Sequence, residues 1–257
     1  MIYITGDCHA DFSRFSTRSF PEQKEMTKDD FMIVCGDFGG IWTNSDSDKT
    51  EKYWLDWLET KPFTLLFVDG NHENFDRLYS DEFEVVEFHG GKARKIRDNI
   101  YHLMRGYVFD IDGKRIFAFG GANSHDISDG ILDRQNFESD AAFEKTIQCW
   151  RKAGKMFRVN HLSWWKQELP SQDEMDYGLK TLSENNNKVD FIISHCCPQT
   201  IASIFSYGNY APDILTTYFD VVAETVDFSK WFFGHYHNNV QIMDKFIMLY
   251  EQIVRVA

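Results

Sequence analysis

The chain repeatedly places a short apolar run directly before polar residues. Runs this apolar are typical of central β-strands that are covered on both faces. Polar residues just beyond the carboxyl ends of such strands gather at one edge of a sheet, where open α/β folds place their sites. The pattern therefore predicts an α/β fold with a polar site at the strand ends. The five runs are Ile2–Thr5, Phe31–Cys35, Phe63–Val68, Phe191–Ile193 and Trp231–Phe233.

The segments between these runs predict helices and a hairpin. Thr50–Leu58 and Ser171–Leu182 have helical character, and the second opens with the Ser-x-x-Glu pattern of a capping box. Tyr107–Ile111 and Arg115–Phe119 flank an Asp-Gly pair, which predicts an antiparallel hairpin. This change of pattern in the middle of the chain indicates a second sheet.

The sequence favours a single domain over residues 1–257. A chain of this length buries roughly 75% of its unfolded surface, and it contains no repeat, low-complexity tract or linker. The stretch at about 121–188 is rich in Trp, Asp and Glu. We expect it to form a cap-like insertion.

Charge and composition limit the classes of partner and the cellular compartment that are expected for this protein. There are 27 Lys and Arg against 40 Asp and Glu, a net charge of −13, which argues against long nucleic acids and anionic membrane surfaces as partners. No apolar run approaches the roughly 18 to 20 residues of a membrane span, and the first residues resemble a strand rather than a secretion signal. Five cysteines, an odd number, disfavour a disulfide framework. We therefore expect a cytoplasmic protein with reduced thiols.

The strand-end residues have the side chains of a metal centre. Carboxylate, amide and imidazole ligands suit Mn, Fe, Zn or Co better than a thiolate zinc site. They are too many for one tetrahedral ion and about right for two ions that share a carboxylate. If the chain is locally extended, alternate residues point to the same side, so that Cys8 packs away from the metals. The strand-end residues are Asp7, His9, Asp37, Asn71, His72, His195, His235 and His237.

The short motifs around these residues resemble, in order, the five motifs of the calcineurin-like metallophosphoesterase superfamily, in a generic bacterial and phage-associated branch. The resemblance implies a four-layer α/β/β/α sandwich of two mixed sheets flanked by helices, with a dinuclear centre at their loop ends. The motifs are Gly6-Asp7-Cys8-His9, Gly36-Asp37-Phe38-Gly39-Gly40, Gly70-Asn71-His72-Glu73, Ser194-His195 and Gly234-His235-Tyr236-His237.

The resemblance also implies a role for each residue. Two divalent transition-metal ions are expected, with Mn and Fe favoured over Zn and Co. A metal-activated hydroxide would hydrolyse phosphate mono- or diesters, while His72 faces the substrate without binding metal and stabilises charge or protonates the leaving oxygen. Asp37 would bridge the two ions. One ion would be held by Asp7, His9, Asp37 and His237, and the other by Asp37, Asn71, His195 and His235.

Two other functions compete with this prediction. Protein Ser/Thr phosphatases of the superfamily usually carry Asp-Arg-Gly after the second Gly-Asp, whereas this chain has Phe-Gly-Gly-Ile-Trp at residues 38–42. A noncatalytic scaffold that binds a protein partner is expected to lose ligands, whereas all eight residues are present here. The expected partner is therefore a phosphate ester substrate, and nucleotide-like esters are among the candidates.

Several residues outside the motifs are predicted to have ordinary roles. Aromatic residues such as Trp42 and Trp165 have the chemistry to stack on a base, but packing of the insertion against the sandwich is the favoured interpretation. Surface or core positions are predicted for the four remaining histidines, His89, His102, His125 and His161.

Overall fold

A computed structural model describes residues 1–44 and 48–257. The strands of the described residues are β1 Ile2–Thr5, β2 Phe31–Val34, β3 Thr64–Phe67, β4 Glu84–Phe88, β5 Gly91–Arg97, β6 Ile100–Leu103, β7 Tyr107–Ile111, β8 Lys114–Phe119, β9 Gly130–Leu132, β10 Phe157–Val159, β11 Phe191–Ser194, β12 Lys230–Phe233, β13 Val240–Ile242, β14 Phe246–Met248 and β15 Ile253–Arg255. The helices are α1 Lys49–Glu59, α2 Phe75–Leu78, α3 Asp140–Lys152, α4 Gln172–Glu184, α5 Gln199–Ser206 and α6 Ile214–Thr225.

The strands form two large mixed sheets and one small sheet. The first sheet has seven strands in the order β15-β1-β2-β3-β6-β5-β4, and the second has six in the order β13-β14-β12-β11-β8-β7. The predicted hairpin is present as the antiparallel pair β7 and β8 at the edge of the second sheet. The parallel strands β9 and β10 form the small sheet.

Alternating side chains of the strands divide the core between the layers. In β1, Ile2 and Ile4 face the space between the two sheets, whereas Tyr3 faces the outer helices. The inner cluster includes Ile33 of the first sheet and Ile193 of the second. Both faces of these strands are therefore buried, which is why their sequences are continuously apolar. Helices α1 and α2 cover the first sheet and α4, α5 and α6 cover the second, which confirms the predicted four-layer sandwich.

The predicted helices begin and end close to the predicted residues. Asp48 caps α1 by accepting hydrogen bonds from the N–H groups of Thr50 and Glu51. The predicted capping box of α4 is present, because Ser171 accepts from the Glu174 N–H and the Glu174 carboxylate accepts from the Ser171 N–H. Local sequence thus determines where these two helices start.

The segment between β8 and α4 carries the small sheet, α3 and a core of its own. Leu132, Ile147 and Val159 form that core, whereas α4 packs on the second large sheet. The side chains of His161 and Trp165 both contact the carboxylate of Asp76 in α2, at 2.8 and 2.7 Å, and so fix the segment to the sandwich. The predicted cap role of residues 121–188 stays a prediction.

Two further expectations from the sequence concern the bilayer and the thiols. Across residues 1–44 and 48–257, no helix combines the length and the apolarity needed to cross a bilayer. All five cysteines are free, and four of them are buried. Cys8 packs in the core outside the first sheet, as predicted.

Candidate metal centre

The carboxyl ends of five strands meet at one edge of the sandwich. β1, β2 and β3 are parallel neighbours in the first sheet, and β11 and β12 are parallel neighbours in the second. The polar residues that follow them face one another across the gap between the sheets. The structure therefore brings together all eight strand-end residues that the sequence singles out.

One group of ligand atoms is centred on Asp7. The Asp7 Oδ2 atom lies 3.1 Å from His237 Nε2 and 3.7 Å from His9 Nε2. The two imidazole nitrogens are 3.0 Å apart. All three atoms lie within 4.8 Å of one another, which is close enough for them to hold one ion.

Asp37 takes part in two further groups. With His9 and His72 it forms one, and with Asp7 and His195 it forms the other. Its Oδ1 atom lies 3.3 Å from His195 Nε2 and accepts a hydrogen bond from the His72 N–H at 2.7 Å. Asp37 therefore contributes ligand atoms to two of the three groups, as Asp7 and His9 also do.

Asn71 completes this side of the centre. Its Oδ1 atom lies 3.2 Å from His195 Nε2, and its Nδ2 group donates to Ser124 Oγ at 3.3 Å. Ser124 in turn donates to the Glu168 carboxylate at 2.8 Å, and Trp164 donates to the same carboxylate at 2.8 Å. This buried chain of hydrogen bonds turns the amide oxygen of Asn71 toward the centre.

His235 makes a contact that the sequence analysis did not predict. Its Nε2 atom lies 2.6 Å from the Nε2 atom of His125, and its ring also packs against His195 with 4.9 Å between centroids. His125 therefore belongs to the site, although an ordinary role was predicted for it. The ordinary role is correct for His102, which is fully buried and contacts Asp69.

The backbone reaches the site through left-handed turns instead of extended chain. His9, Asp37, His235 and His237 have φ values of 46°, 44°, 68° and 49°. The assumption of local extension is therefore wrong, because β1 ends at Thr5 and β12 ends at Phe233, before the ligands begin. Such conformations cost of order 1–3 kcal/mol each and occur most often at functional sites.

Two glycines allow the loops to approach the carboxylates. A Cβ atom at Gly234 would overlap the Asp7 carboxylate, and one at Gly70 would overlap that of Asp37. The close approach lets the His235 N–H donate to Asp7 Oδ1 at 2.9 Å. The Gly-His and Gly-Asn pairs of the motifs thus have a steric origin.

The buried carboxylates give the centre a negative potential. Burial alone would raise the pKa of Asp37, but the His195 imidazole and the other histidines outweigh burial and hold that pKa below its ordinary range. Burial would lower the pKa of His195, but Asp37 and Asp7 raise it to about 10. The two carboxylates therefore stabilise positive charge at this position.

His72 lies beside Asp37 and His9, and its ring also contacts a guanidinium group. Its Nε2 atom lies 3.0 Å from Arg158 Nη2, so the histidine accepts a hydrogen bond there. Burial, reinforced by Arg158 and only partly offset by Asp37, lowers the pKa of His72 to about 4. His72 is therefore a neutral imidazole at neutral pH.

A cavity of about 320 Å³ adjoins His9 and His72. The indole rings of Trp42 and Trp54 form part of its wall. The Trp42 ring lies 6.0 Å from the His72 ring and 5.7 Å from that of Trp165. Trp165 is buried in packing contacts, as predicted, whereas Trp42 is partly exposed beside the site.

The strand-end rule would have identified His125, but no local pattern identifies Arg158. His125 follows β8, which is parallel to β11, so its loop reaches the same sheet edge. Arg158 lies within β10 of the small sheet, and only the docking of that segment places it at the site. Its apolar neighbours Phe157 and Val159 predict nothing about a functional role.

Comparison with known proteins agrees with this geometry. The family described as calcineurin-like phosphoesterase matches residues 1–239. Lariat debranching enzyme A of Xenopus laevis is 26% identical over 221 residues, 81% of this chain and 34% of that protein. The lariat debranching enzyme of Arabidopsis thaliana is 25% identical over 221 residues, 81% of this chain and 44% of that protein. The chain thus spans less than half the length of these relatives. Because the family match covers almost all of its 257 residues, the chain belongs to the calcineurin-like phosphoesterase family.

Proposed function

We propose that this protein is a phosphoesterase that uses two divalent transition-metal ions to hydrolyse a phosphate ester. The observation that carries the proposal is the pair of buried carboxylates, Asp7 and Asp37, surrounded by imidazoles at one edge of the sandwich. Within the described chain, the ion-pair partners of both carboxylates are histidines. Buried carboxylates without Lys or Arg partners are typical of metal sites.

The donor set fits such ions. Oxygen and imidazole ligands suit Mn, Fe, Zn and Co, and Mn and Fe remain the favoured pair. Ligation requires neutral imidazole, and burial lowers the pKa values of both His9 and His235. Asp37 and Asp7 raise the pKa of His195, and Asp7 raises that of His237, so an ion that binds these two histidines displaces a proton from each. We assign Asp7, His9, Asp37 and His237 to one ion, and Asp37, Asn71, His195 and His235 to the other.

The side chains have separable roles in the proposed reaction. When bound, the ions supply Lewis acidity and lower the pKa of water. Asp37 holds its loop against the His72 backbone through the 2.7 Å hydrogen bond, which fixes His72 at the edge of the centre. As a neutral imidazole, His72 is suited to contact the ester oxygens through a hydrogen bond.

The cavity and the relatives together favour a phosphodiester with a ring-bearing group. The relatives reported above are lariat debranching enzymes, which favours a diester over a monoester. The cavity beside His72 has room for one ring system, and its indole walls suit stacking on a base. We therefore propose a nucleotide-like diester as the substrate, bound at the chain's own pocket instead of on an extended basic surface.

A substrate screen after metal loading tests the proposal. Apo protein is reconstituted with Mn²⁺ or Fe²⁺ and assayed with an aryl phosphate, a bis-aryl phosphate, nucleotides, cyclic nucleotides, a 2′–5′ branched oligonucleotide and a phosphopeptide. Diester hydrolysis that disappears on chelation and returns with metal is the expected result. Preferred cleavage of the phosphopeptide would favour the protein phosphatase alternative. A metal-loaded protein inactive on every ester would favour the scaffold alternative.

A further inference from the structure

Arg158 brings a positive charge to the candidate centre from a distant part of the chain. It lies in β10 of the small sheet, is 8% exposed, and places Nη2 3.0 Å from His72 Nε2. The other arginines near this edge are engaged elsewhere. Arg14 donates to the backbone carbonyls of Tyr250 and Asp7, and Arg105 is buried against Asp69.

The position of Arg158 is fixed by contacts on both sides of it. Its Nε group donates to Asp126 Oδ1 at 2.7 Å, and its Nη1 group donates to the Ser163 carbonyl at 3.0 Å. The following loop is tied to α2 through the contacts of His161 and Trp165 with Asp76. The guanidinium is therefore held in one orientation, with one edge toward the centre.

The hydrogen bonds of Arg158 leave capacity for an anion. A guanidinium carries five N–H donors, and the contacts with Asp126, Ser163 and His72 use three. Its acidic partner Asp126 is 49% exposed at its side chain, so solvent weakens that ion pair. A buried guanidinium whose ion-pair partner faces solvent suits a phosphate group, which accepts parallel hydrogen bonds from Arg.

We propose that Arg158 is a phosphate-binding residue, which donates from Nη2 to a nonbridging oxygen of the substrate phosphoryl group beside His72. This inference rests on the proposed function, because it assigns a substrate contact to the same site. It gives the segment that carries the small sheet a defined task, which is to supply a cation to the centre. The 3.0 Å contact with His72 marks the position where the phosphoryl oxygen would be received.

Phosphate binding tests the inference without requiring turnover. Calorimetric titration of inorganic phosphate into the Mn²⁺-loaded protein compares the wild type with Arg158→Gln and Arg158→Lys. Arg151→Gln is the matched control, because Arg151 is an exposed arginine at the end of α3 in the same segment. Metal content and thermal melting are measured on each variant, so that a loss of fold is recognised.

We expect Arg158→Gln to raise the Kd for phosphate by about 10- to 100-fold at unchanged metal content, as the loss of a charge-assisted hydrogen bond predicts. Arg158→Lys keeps the charge but not the planar fork, so its Kd for phosphate should lie between those of the wild type and Arg158→Gln. Arg151→Gln should match the wild type.

The possible failures are distinguishable. If a folded, metal-loaded Arg158→Gln or Arg158→Lys protein binds phosphate as the wild type does, the inference is wrong even when the wild type hydrolyses esters. If the wild type binds no phosphate, the inference is also wrong. If the variants lose phosphate as expected but the wild type hydrolyses no ester, the inference holds and the proposed function fails.

Discussion

The Nε2 atoms of His125 and His235 lie 2.6 Å apart. Two ring nitrogens this close either share one proton or both direct lone pairs toward a common ion. The pair resembles that of His9 and His237, whose Nε2 atoms lie 3.0 Å apart beside Asp7. His125 is therefore positioned to support the ion assigned to His235.

This contact predicts that His125→Ala weakens metal retention by about 10- to 100-fold, as the loss of a supporting ligand partner does. Metal content after dialysis against a graded series of chelator concentrations measures the effect. His89→Ala is the control, because His89 contacts the Asp110 carbonyl in another part of the molecule. Equal metal retention in His125→Ala and His89→Ala would show that His125 does not support the metal centre.

Asp37→Asn should damage the centre much more than Cys8→Ala. Asp37 belongs to two ligand groups, whereas Cys8 is buried in the outer core and belongs to neither. The Asn variant should lose most bound metal and turnover, while Cys8→Ala should keep both at some cost in stability. Elemental analysis and turnover on the same preparations decide the question. Equal losses of metal would contradict the assignment of Asp37 as the bridging ligand.

His72→Gln should keep its metal and lose turnover. The proposed ligands all remain in this variant, so metal content should stay near that of the wild type. Turnover should fall by about 10²- to 10⁴-fold if His72 contacts the reacting ester. The loss should be smaller for a nitrophenolate leaving group than for an alkoxide, which needs more stabilisation. Loss of metal in the variant would make His72 a ligand, as its place beside His9 and Asp37 allows.

Ser124→Ala should remove a support of the Asn71 side chain while every proposed ligand residue stays unchanged. The Ser124 hydroxyl accepts from the Asn71 amide and donates to Glu168, so its removal frees the amide to rotate. We expect metal affinity to fall by about 10-fold or more. Ser163→Ala serves as the control, because that hydroxyl accepts from the Val159 N–H and lies outside this chain of hydrogen bonds. An unchanged metal affinity in Ser124→Ala would mean that Asn71 needs no such support.

Glu168 should make the apo protein less stable as the pH rises. Burial, only partly offset by hydrogen bonds from Ser124 and Trp164, raises its pKa from 4.5 to about 7. Between these values the native state holds a proton that the unfolded state has lost, so the free energy of unfolding falls as the pH rises through this window. Glu168 is expected to contribute about 2 to 3 kcal/mol to this fall in the free energy of unfolding. Urea unfolding at pH 4.5 and pH 8 should show that the change in the free energy of unfolding differs by about this amount between the wild type and Glu168→Gln.

The sequence by itself determined the elements and the chemistry of the strand ends. Continuously apolar runs identify strands buried on both faces, and β1 begins and ends at the predicted residues Ile2 and Thr5. The capping box at Ser171 is likewise a local signal, because its two hydrogen bonds join residues three apart. Both kinds of signal are short-range, so the chain carries them before it folds.

The tertiary structure decided which distant residues meet and how the backbone turns toward them. The left-handed conformation of His9 and the contact of His125 with His235 depend on packing between the sheets, which no local periodicity encodes. Arg158 reaches His72 across 86 positions of sequence because the segment that carries it docks on α2. A contact over that separation depends on the relative placement of whole elements. Neighbouring residues can therefore specify that Arg158 lies in a strand, but only the assembled fold brings it to the site.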